Sequence, residues 1–348
     1  MTLVIDFSHV HRPTTGIERV SLDLFSAEAL PGIKTKHVRA KSTLGMVFAQ
    51  WVVLPLLALF SRKDKFICPG FPASLPLVLL GRNRVIPYIH DLFLIERKQD
   101  LNATAKYYMR PSFWFAVHFC TTFFVNSSYT EQRLRKYCRK SAKIYLFRPA
   151  VADVFGLSGA TPSPKNKDAP LRLVSIGTIE PRKNLRFAAE VREELEKSLG
   201  RPVELHLAGR SGWSDDAVWL GQQKGVILHG YCPSQKVREI LLSADVFIST
   251  SKDEGLGLPL LEVQHGGLFV AASDIPVYRE VLGKSGCLLP LTDATRSAQI
   301  LAEALSNPET GATRRQQALD NVRDWNIAAG KDKDAFLRFF NDKSEAVV

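Results

Sequence analysis

Short apolar runs punctuated by polar, glycine-bearing turns dominate the chain, and stretches with one apolar helical face fall between them. Leu3–Phe7 reads as a buried strand, and residues 84–91 as another that ends in His90-Asp91. Residues 123–128 and 143–146 complete the strands expected in the first half. The second half alternates more regularly. Strands are expected at 173–176, 204–208, 226–229, 245–249 and 268–272, with helices at 184–199 and 234–243. Ala188, Val191, Leu195 and Leu199 share one face of the first of these helices, as Ile17, Val20, Leu24 and Ala27 do near the N-terminus. Strand and helix alternating in this way predict an α/β protein with parallel, doubly wound sheets.

Two stretches depart from that rhythm. Residues 42–61 carry no charge, are interrupted by Gln50 and Pro55, and run into Arg62, Lys63 and Lys65. Their length is at the lower edge for a membrane span. A buried helix or strand, a segment lying in a membrane surface, and a true span all stay open. Residues 71–80 and 107–124 add further apolar, basic-flanked surface or belong simply to the core. The second departure follows Ser128-x-x-Glu131, a capping box that opens a helix carrying Arg133, Arg135, Lys136, Arg139 and Lys140. That face is either solvated or docked on anionic lipid.

Charge sharpens the picture. Of 348 residues, 45% are hydrophobic, enough for two domains. Residues 1–150 hold 22 Lys/Arg against 9 Asp/Glu, whereas residues 151–348 hold 24 against 26, so the net charge of +11 comes from the first half. An anionic membrane surface or anionic substrate fits that asymmetry; no nucleic-acid module is present, so nucleic acid is not expected as a partner. Five scattered cysteines without metal spacing suggest a reducing compartment and no metal. Residues 1–6 are too short and uncharged for a signal peptide. Residues 156–170 have a linker composition, which divides the chain into domains at 1–155 and 171–330, with a terminal helix at 331–348 expected to pack back on the first domain.

In a doubly wound sheet the loops after the strands gather at one edge, where ligands bind. One such loop dominates. The strand at 245–249 runs into Lys252-Asp-Glu-Gly-Leu-Gly-Leu-Pro-Leu-Leu-Glu262. Gly255 and Gly257 leave the backbone bare, Pro259 suits a first helical position, and Glu254 and Glu262 lie eight positions apart. The two carboxylates can bracket an extended ligand by accepting hydroxyl hydrogen bonds, with a diphosphate at the helix N-terminus between them. A plain strand–loop–helix turn with one solvated and one helix-dipole Glu is the alternative. Arg182 and Lys183, and less directly Arg210, are placed to neutralise the diphosphate. Gly16 precedes a helix where a backbone could meet a phosphate, and His90 could bond a substrate hydroxyl or move a proton. No Gly-x-Gly-x-x-Gly follows residues 3–7 or 173–176, which argues against a dinucleotide-dependent dehydrogenase.

Gly177-Thr-Ile-Glu-Pro-Arg-Lys-Asn184, Leu207-Ala-Gly-Arg-Ser-Gly-Trp213, Gly230, the Glu254–Glu262 window and Ser273-Asp-Ile-Pro-Val-Tyr-Arg-Glu-Val-Leu-Gly283 occur in this order. Together they resemble the retaining glycosyltransferases of family 4. Thr15-Gly-Ile17, Ile89-His-Asp-Leu92 and Val125-Asn-Ser-Ser128 extend the resemblance over nearly the whole chain. It implies a GT-B fold, two Rossmann-like domains facing a central cleft. It also implies that Glu254 contacts the donor sugar, Glu262 the ribose, Arg182 and Lys183 the donor diphosphate, and His90 the transferred hexose. Gly255, Leu256, Gly257, Leu258 and Tyr231 are expected among the donor-binding residues, and the family needs no metal or cofactor. The chain departs from the family at Thr178, Leu256 and Phe269, where Arg, Phe and Pro are usual.

Its form is similar to the mannosyl- and rhamnosyltransferases of bacterial surface-polysaccharide assembly. That implies a hexose donor such as GDP-mannose, and a saccharide or polyprenyl-diphosphate-linked acceptor. It also implies a cytoplasmic protein, peripheral on the membrane. Retention can arise by front-face attack or by double displacement. A GT-B nucleotide-sugar epimerase and a non-catalytic scaffold of a polysaccharide-assembly complex are the competing readings.

Overall fold

The structure is a computed structural model that describes residues 1–11, 16–101, 103–160, 169–212, 214–306 and 310–341. Among these the chain divides into two units, Met1–Ala150 with Ile327–Val348, and Val151–Asn326. Each is built on a six-stranded sheet in which every pairing is parallel.

In the first unit the strands are β1 (Leu3–Phe7), β2 (Thr35–Arg39), β3 (Lys65–Cys68), β4 (Val85–Ile89), β5 (Thr122–Val125) and β6 (Lys143–Leu146). They lie in the order β2-β1-β3-β4-β5-β6. β1 and β4 are buried along their whole length, as continuous apolar runs covered on both faces should be. β2 buries only Val38 and keeps charge on its neighbours, which suits an edge strand and explains why no apolar run announced it. Helix Gly16–Phe25 turns Glu18, Val20, Ser21, Leu24 and Phe25 inward. The expected face is therefore rotated: Ile17 is exposed, and Ala27 lies beyond the helix end.

Residues 42–61 resolve into helix Thr43–Phe60, with a π-helical turn at Ala49–Val53. Its Leu54 and Ala58 enter the same apolar core as Leu77, Val78 and Val117. The capping box shifts by one residue. Ser127 is the cap, its Oγ accepting from Thr130 N at 3.1 Å, and the helix is Ser128–Leu134. Lys136, Arg139 and Lys140 lie beyond its end, Arg135 is its C-cap, and Arg133 is buried in an ion pair with Glu96.

In the second unit β7 (Leu171–Ile176), β8 (Val203–Ala208), β9 (Val226–Gly230), β10 (Val246–Ser249), β11 (Phe269–Ser273) and β12 (Gly286–Leu289) take the order β12-β11-β10-β7-β8-β9. The regular alternation seen in the sequence is this sheet; only the short edge strand β12 went unannounced. Helix Leu185–Leu199 buries Ala188, Val191 and Leu195 and ends at Gly200, whose φ of 62° is the left-handed cap that stops a helix.

The expected linker at 156–170 falls partly at 161–168, outside the described residues, and its remainder belongs to the second unit. The chain passes between units at Ala150/Val151 and again within helix Thr310–Asn341, which begins well before the expected residue 331. Phe336 of that helix is buried among Phe25, Phe124 and Phe147, stacked on Phe147 with centroids 4.5 Å apart. Arg148 and Asp332 pair at 2.7 Å beside this cluster. Truncating such a ring leaves a cavity that its rigid neighbours cannot fill. Phe336→Ala is expected to cost about 3–5 kcal/mol. Urea denaturation checks this, and a loss below about 1 kcal/mol would contradict the packing described.

Candidate active site

In the second sheet the strand order reverses between β7 and β10, so the loops leaving these two strands form a crevice at their C-terminal ends. After β7 comes a 3₁₀ turn, Pro181–Lys183, then Asn184 in the left-handed region at φ 52°, then helix Leu185–Leu199. After β10 the chain reaches Gly257 and helix Leu258–Gln264. The two loops are clasped together. Thr250 Oγ1 donates to the carbonyls of Lys183 (3.1 Å) and Asn184 (3.0 Å), and Lys252 N donates to Arg182 O at 2.9 Å. Gly257 has φ 88°, and a Cβ there would stand 2.6 Å from the Tyr278 ring, so no other residue fits.

The clasp brings Glu254 between two cations. Lys183 Nζ lies 2.6 Å from Oε1, and Arg182 Nη1 2.6 Å from Oε2. Ser251 Oγ donates to Oε1 at 2.9 Å, and Arg182 Nη2 also meets Glu180 at 2.6 Å. Burial would raise the Glu254 carboxyl, but Lys183 and Arg182 outweigh it and hold it at about 2. Burial likewise works against the Arg182 charge, and Glu254 and Glu180 more than restore it. Tyr278, fully buried, is pushed up by burial and by Glu254, and shares a 2.8 Å hydrogen bond with Ser249.

The other expected donor residues are placed as follows. Gly255 and Leu256 are buried, Leu256 filling an apolar position, and Leu258 opens the helix. Glu262 is buried, but it sits one turn into the helix rather than in its first turn, because the helix starts at Leu258. That helix has only 7 residues, so the positive charge of the crevice comes mainly from Arg182 and Lys183 rather than from a helix dipole. Arg210 and Tyr231 are exposed on the loops after β8 and β9, with the guanidinium 4.5 Å from the ring centroid. Trp213 lies outside the described residues.

The first sheet reverses between β1 and β3, and there His9 packs against Gly70, where a Cβ would fall 2.2 Å from the imidazole. His90, after β4, lies beside this switch point: its Nε2 is 2.6 Å from Pro69 O, and its carbonyl accepts from Asn126 Nδ2 at 2.9 Å. Burial lowers the imidazole to about 4. The ring is therefore neutral near pH 7. Because Pro69 O can only accept, Nε2 carries the hydrogen and Nδ1 is left as an acceptor. Gly16 is exposed at a helix start with open space around it; Thr15 lies outside the described residues.

Residue patterns missed several members of these clusters. Glu180, Ser251 and Tyr278 surround Glu254, and Asp6 lies inside β1. Burial pushes the Asp6 carboxyl up; it accepts from Ser8 Oγ at 2.5 Å and from Gln50 Nε2 at 3.2 Å. A lone Asp inside an otherwise apolar strand was the available signal. Among the described residues no group of three or more His, Cys, Asp or Glu side chains could hold a metal ion.

Residues 161–321 match the family model described as glycosyl transferases group 1. The matched residues lie within the second unit. The whole chain superposes on WaaG, a glycosyltransferase involved in lipopolysaccharide biosynthesis, with TM-score 0.68 and 14% identity over 98% of this chain and 100% of that one. It matches Anabaena Alr3699/HepE in complex with UDP and glucose at TM-score 0.66 and 14% identity, over 96% and 99% of the two chains. The expected GT-B fold is borne out. Among curated relatives, the Escherichia coli O-antigen chain mannosyltransferase B is 35% identical over 132 residues, 36% of this chain and 35% of that protein. The lipopolysaccharide core biosynthesis mannosyltransferase LpcC of Rhizobium leguminosarum bv. viciae is 26% identical over 144 residues, 41% and 40% respectively. The chain therefore matches these relatives over about two fifths of their length or less.

The Glu254 carboxyl titrates at about 2 in the folded protein against an ordinary 4.5. The unfolded chain takes up that proton first as pH falls. The stability the group contributes is complete above pH 4.5 and is lost as pH drops towards 2. Glu254→Gln is expected to flatten the fall in stability across this window. Urea titrations at a series of pH values check this; a slope identical to that of the parent protein would contradict the electrostatics.

Proposed function

We propose that the chain is a retaining glycosyltransferase that moves mannose from GDP-mannose to a saccharide or polyprenyl-diphosphate-linked acceptor. The reaction belongs to polysaccharide or lipopolysaccharide assembly on the cytoplasmic side of the membrane. The observation that carries this reading is the carboxylate of Glu254 held between Lys183 and Arg182 at the switch point of the unit that matches the group 1 glycosyl transferase model. An ammonium has three N–H donors, so Glu254 leaves donors over on Lys183, while Arg182, which also gives Nη1 to Asp253 O at 3.3 Å, adds its positive charge. Those donors suit the diphosphate of a nucleotide sugar. They stabilise the charge that develops as the sugar–phosphate bond breaks, the largest single contribution expected for such chemistry, without recourse to a metal ion.

The acceptor oxygen bonds to the anomeric carbon on the face the diphosphate leaves, and its proton passes to the departing phosphate oxygen. In this course no covalent glycosyl-enzyme forms. Glu254 instead accepts sugar hydroxyls, and Glu262 accepts the ribose hydroxyls. Gly16, Gly255, Leu256, Gly257, Leu258, Arg210 and Tyr231 complete the donor contacts. Neutral His90, with Nδ1 as acceptor, receives a hydroxyl of the transferred sugar. Mannose is favoured by the curated mannosyltransferases that match the chain.

Lys183→Ala and Glu254→Gln are each expected to lower kcat by about a hundredfold or more while circular dichroism at pH 7 is unchanged. Near-normal turnover in either folded variant contradicts the assignment. Thermal shift across a panel of GDP-, UDP- and ADP-sugars tests the donor. The largest stabilisation is expected with GDP-mannose, and a larger one with a UDP-sugar would replace that part of the proposal.

A further inference from the structure

Helix Thr43–Phe60 is long and apolar enough to cross a membrane by length and composition, yet only a third of it is buried. Two ladders at four-residue spacing run along it. Met46, Gln50, Leu54 and Ala58 face inward. Leu44, Phe48, Val52, Leu56 and Phe60 face out, with Leu44 83% and Phe60 82% exposed, and Trp51 lies beside them. An uninterrupted α-helix would twist such ladders steadily around its axis, because its period is 3.6 residues. The π-helical turn at Ala49–Val53 takes up an extra residue and keeps both ladders in line. The same turn aims Gln50 at Asp6 (3.2 Å) and receives Tyr108 OH on Gln50 Oε1 at 2.9 Å. Helix Leu75–Gly81, tied to it by Ser74 Oγ donating to Gln50 O at 2.5 Å, exposes Leu75, Leu79 and Leu80.

We infer that this face lies in the plane of an anionic lipid bilayer and anchors the first unit to it. The occupant follows from charge. The helix carries none, while exposed Lys41 precedes it and exposed Arg62 and Lys63 follow it. Basic residues flanking an apolar face with Trp, Phe and Leu are what a headgroup boundary accommodates. A second copy of the chain would bring like charges together at the rims of the contact. The segment does not span. Its inward ladder belongs to the core of the first unit, Gln50 is bonded to buried Asp6, and 18 residues reach about 27 Å, short of the roughly 30 Å hydrocarbon layer. The inference rests on this face alone and does not depend on the transfer reaction.

The full chain is mixed with phosphatidylglycerol–phosphatidylcholine vesicles at low salt and sedimented. It is expected to pellet with them, to bind pure phosphatidylcholine vesicles more weakly, and to show a blue shift of tryptophan emission that Trp51→Phe removes. The triple variant Phe48→Ser, Leu56→Ser, Phe60→Ser changes only exposed positions. It is expected to keep its melting temperature and lose about tenfold or more of its vesicle partitioning. Failure to pellet with anionic vesicles overturns the inference, as does equal partitioning by the folded triple variant. A concentration-dependent dimer that the variant dissolves, without vesicle binding, would assign the face to a second copy instead. Material in cell membranes that resists alkaline carbonate extraction would contradict the in-plane placement.

Discussion

A single carboxylate held by two cations organises the donor crevice. Glu254 is buried, and an unpaired charge there would be untenable; Lys183 and Arg182 make it tolerable and are themselves fixed by it. The constraint propagates to the backbone. Thr250 and Lys252 bind the carbonyls of the cationic turn, so the loop after β10 is tied to the loop after β7. Gly257 permits the turn into the following helix, and Gly209 lets the β8 loop lie against Gly177, where a Cβ would be 1.9 Å from the carbonyl oxygen. The glycines are thus consequences of holding two charged loops close together.

The parallel sheets explain why chemistry collects where it does. Each sheet has one point where its order reverses, and each such point carries the polar groups that the strand interiors cannot. In the second unit these are Glu254, Arg182 and Lys183. In the first it is His9, packed on Gly70, with Asp6 inside β1 and His90 just after β4 alongside. Burial drives the Asp6 carboxyl up and the His90 imidazole down, to about 4, whereas the cations hold the Glu254 carboxyl low. The difference lies in the partners: hydroxyl, amide and carbonyl groups in the first unit, cations in the second.

Much of this is legible in the sequence. Short, largely apolar runs announced β1, β4 and most of the second sheet, since buried parallel strands need no polar face. The Glu254–Glu262 window and the Arg182-Lys183 pair stood out because charge so close to apolar strands needs a reason. What stayed hidden depends on contacts between distant segments. β2 has one buried residue in five and looks like a loop. Glu180 is an ordinary acidic residue until Arg182 folds onto it, and the Ser127 cap differs from Ser128 only by where the helix turns. The uncharged stretch at 42–61 was ambiguous because composition does not tell an inward face from an outward one. The π-helical turn, which no propensity marks, is what separates them.

The most direct test of the account is a crystal structure with an intact nucleotide sugar bound. The account predicts the diphosphate within about 3 Å of Lys183 Nζ and an Arg182 nitrogen, with Glu254 accepting a sugar hydroxyl and Glu262 a ribose hydroxyl. A nucleotide bound elsewhere on the second unit, or one that leaves Lys183 and Arg182 paired only with carboxylates, would contradict it.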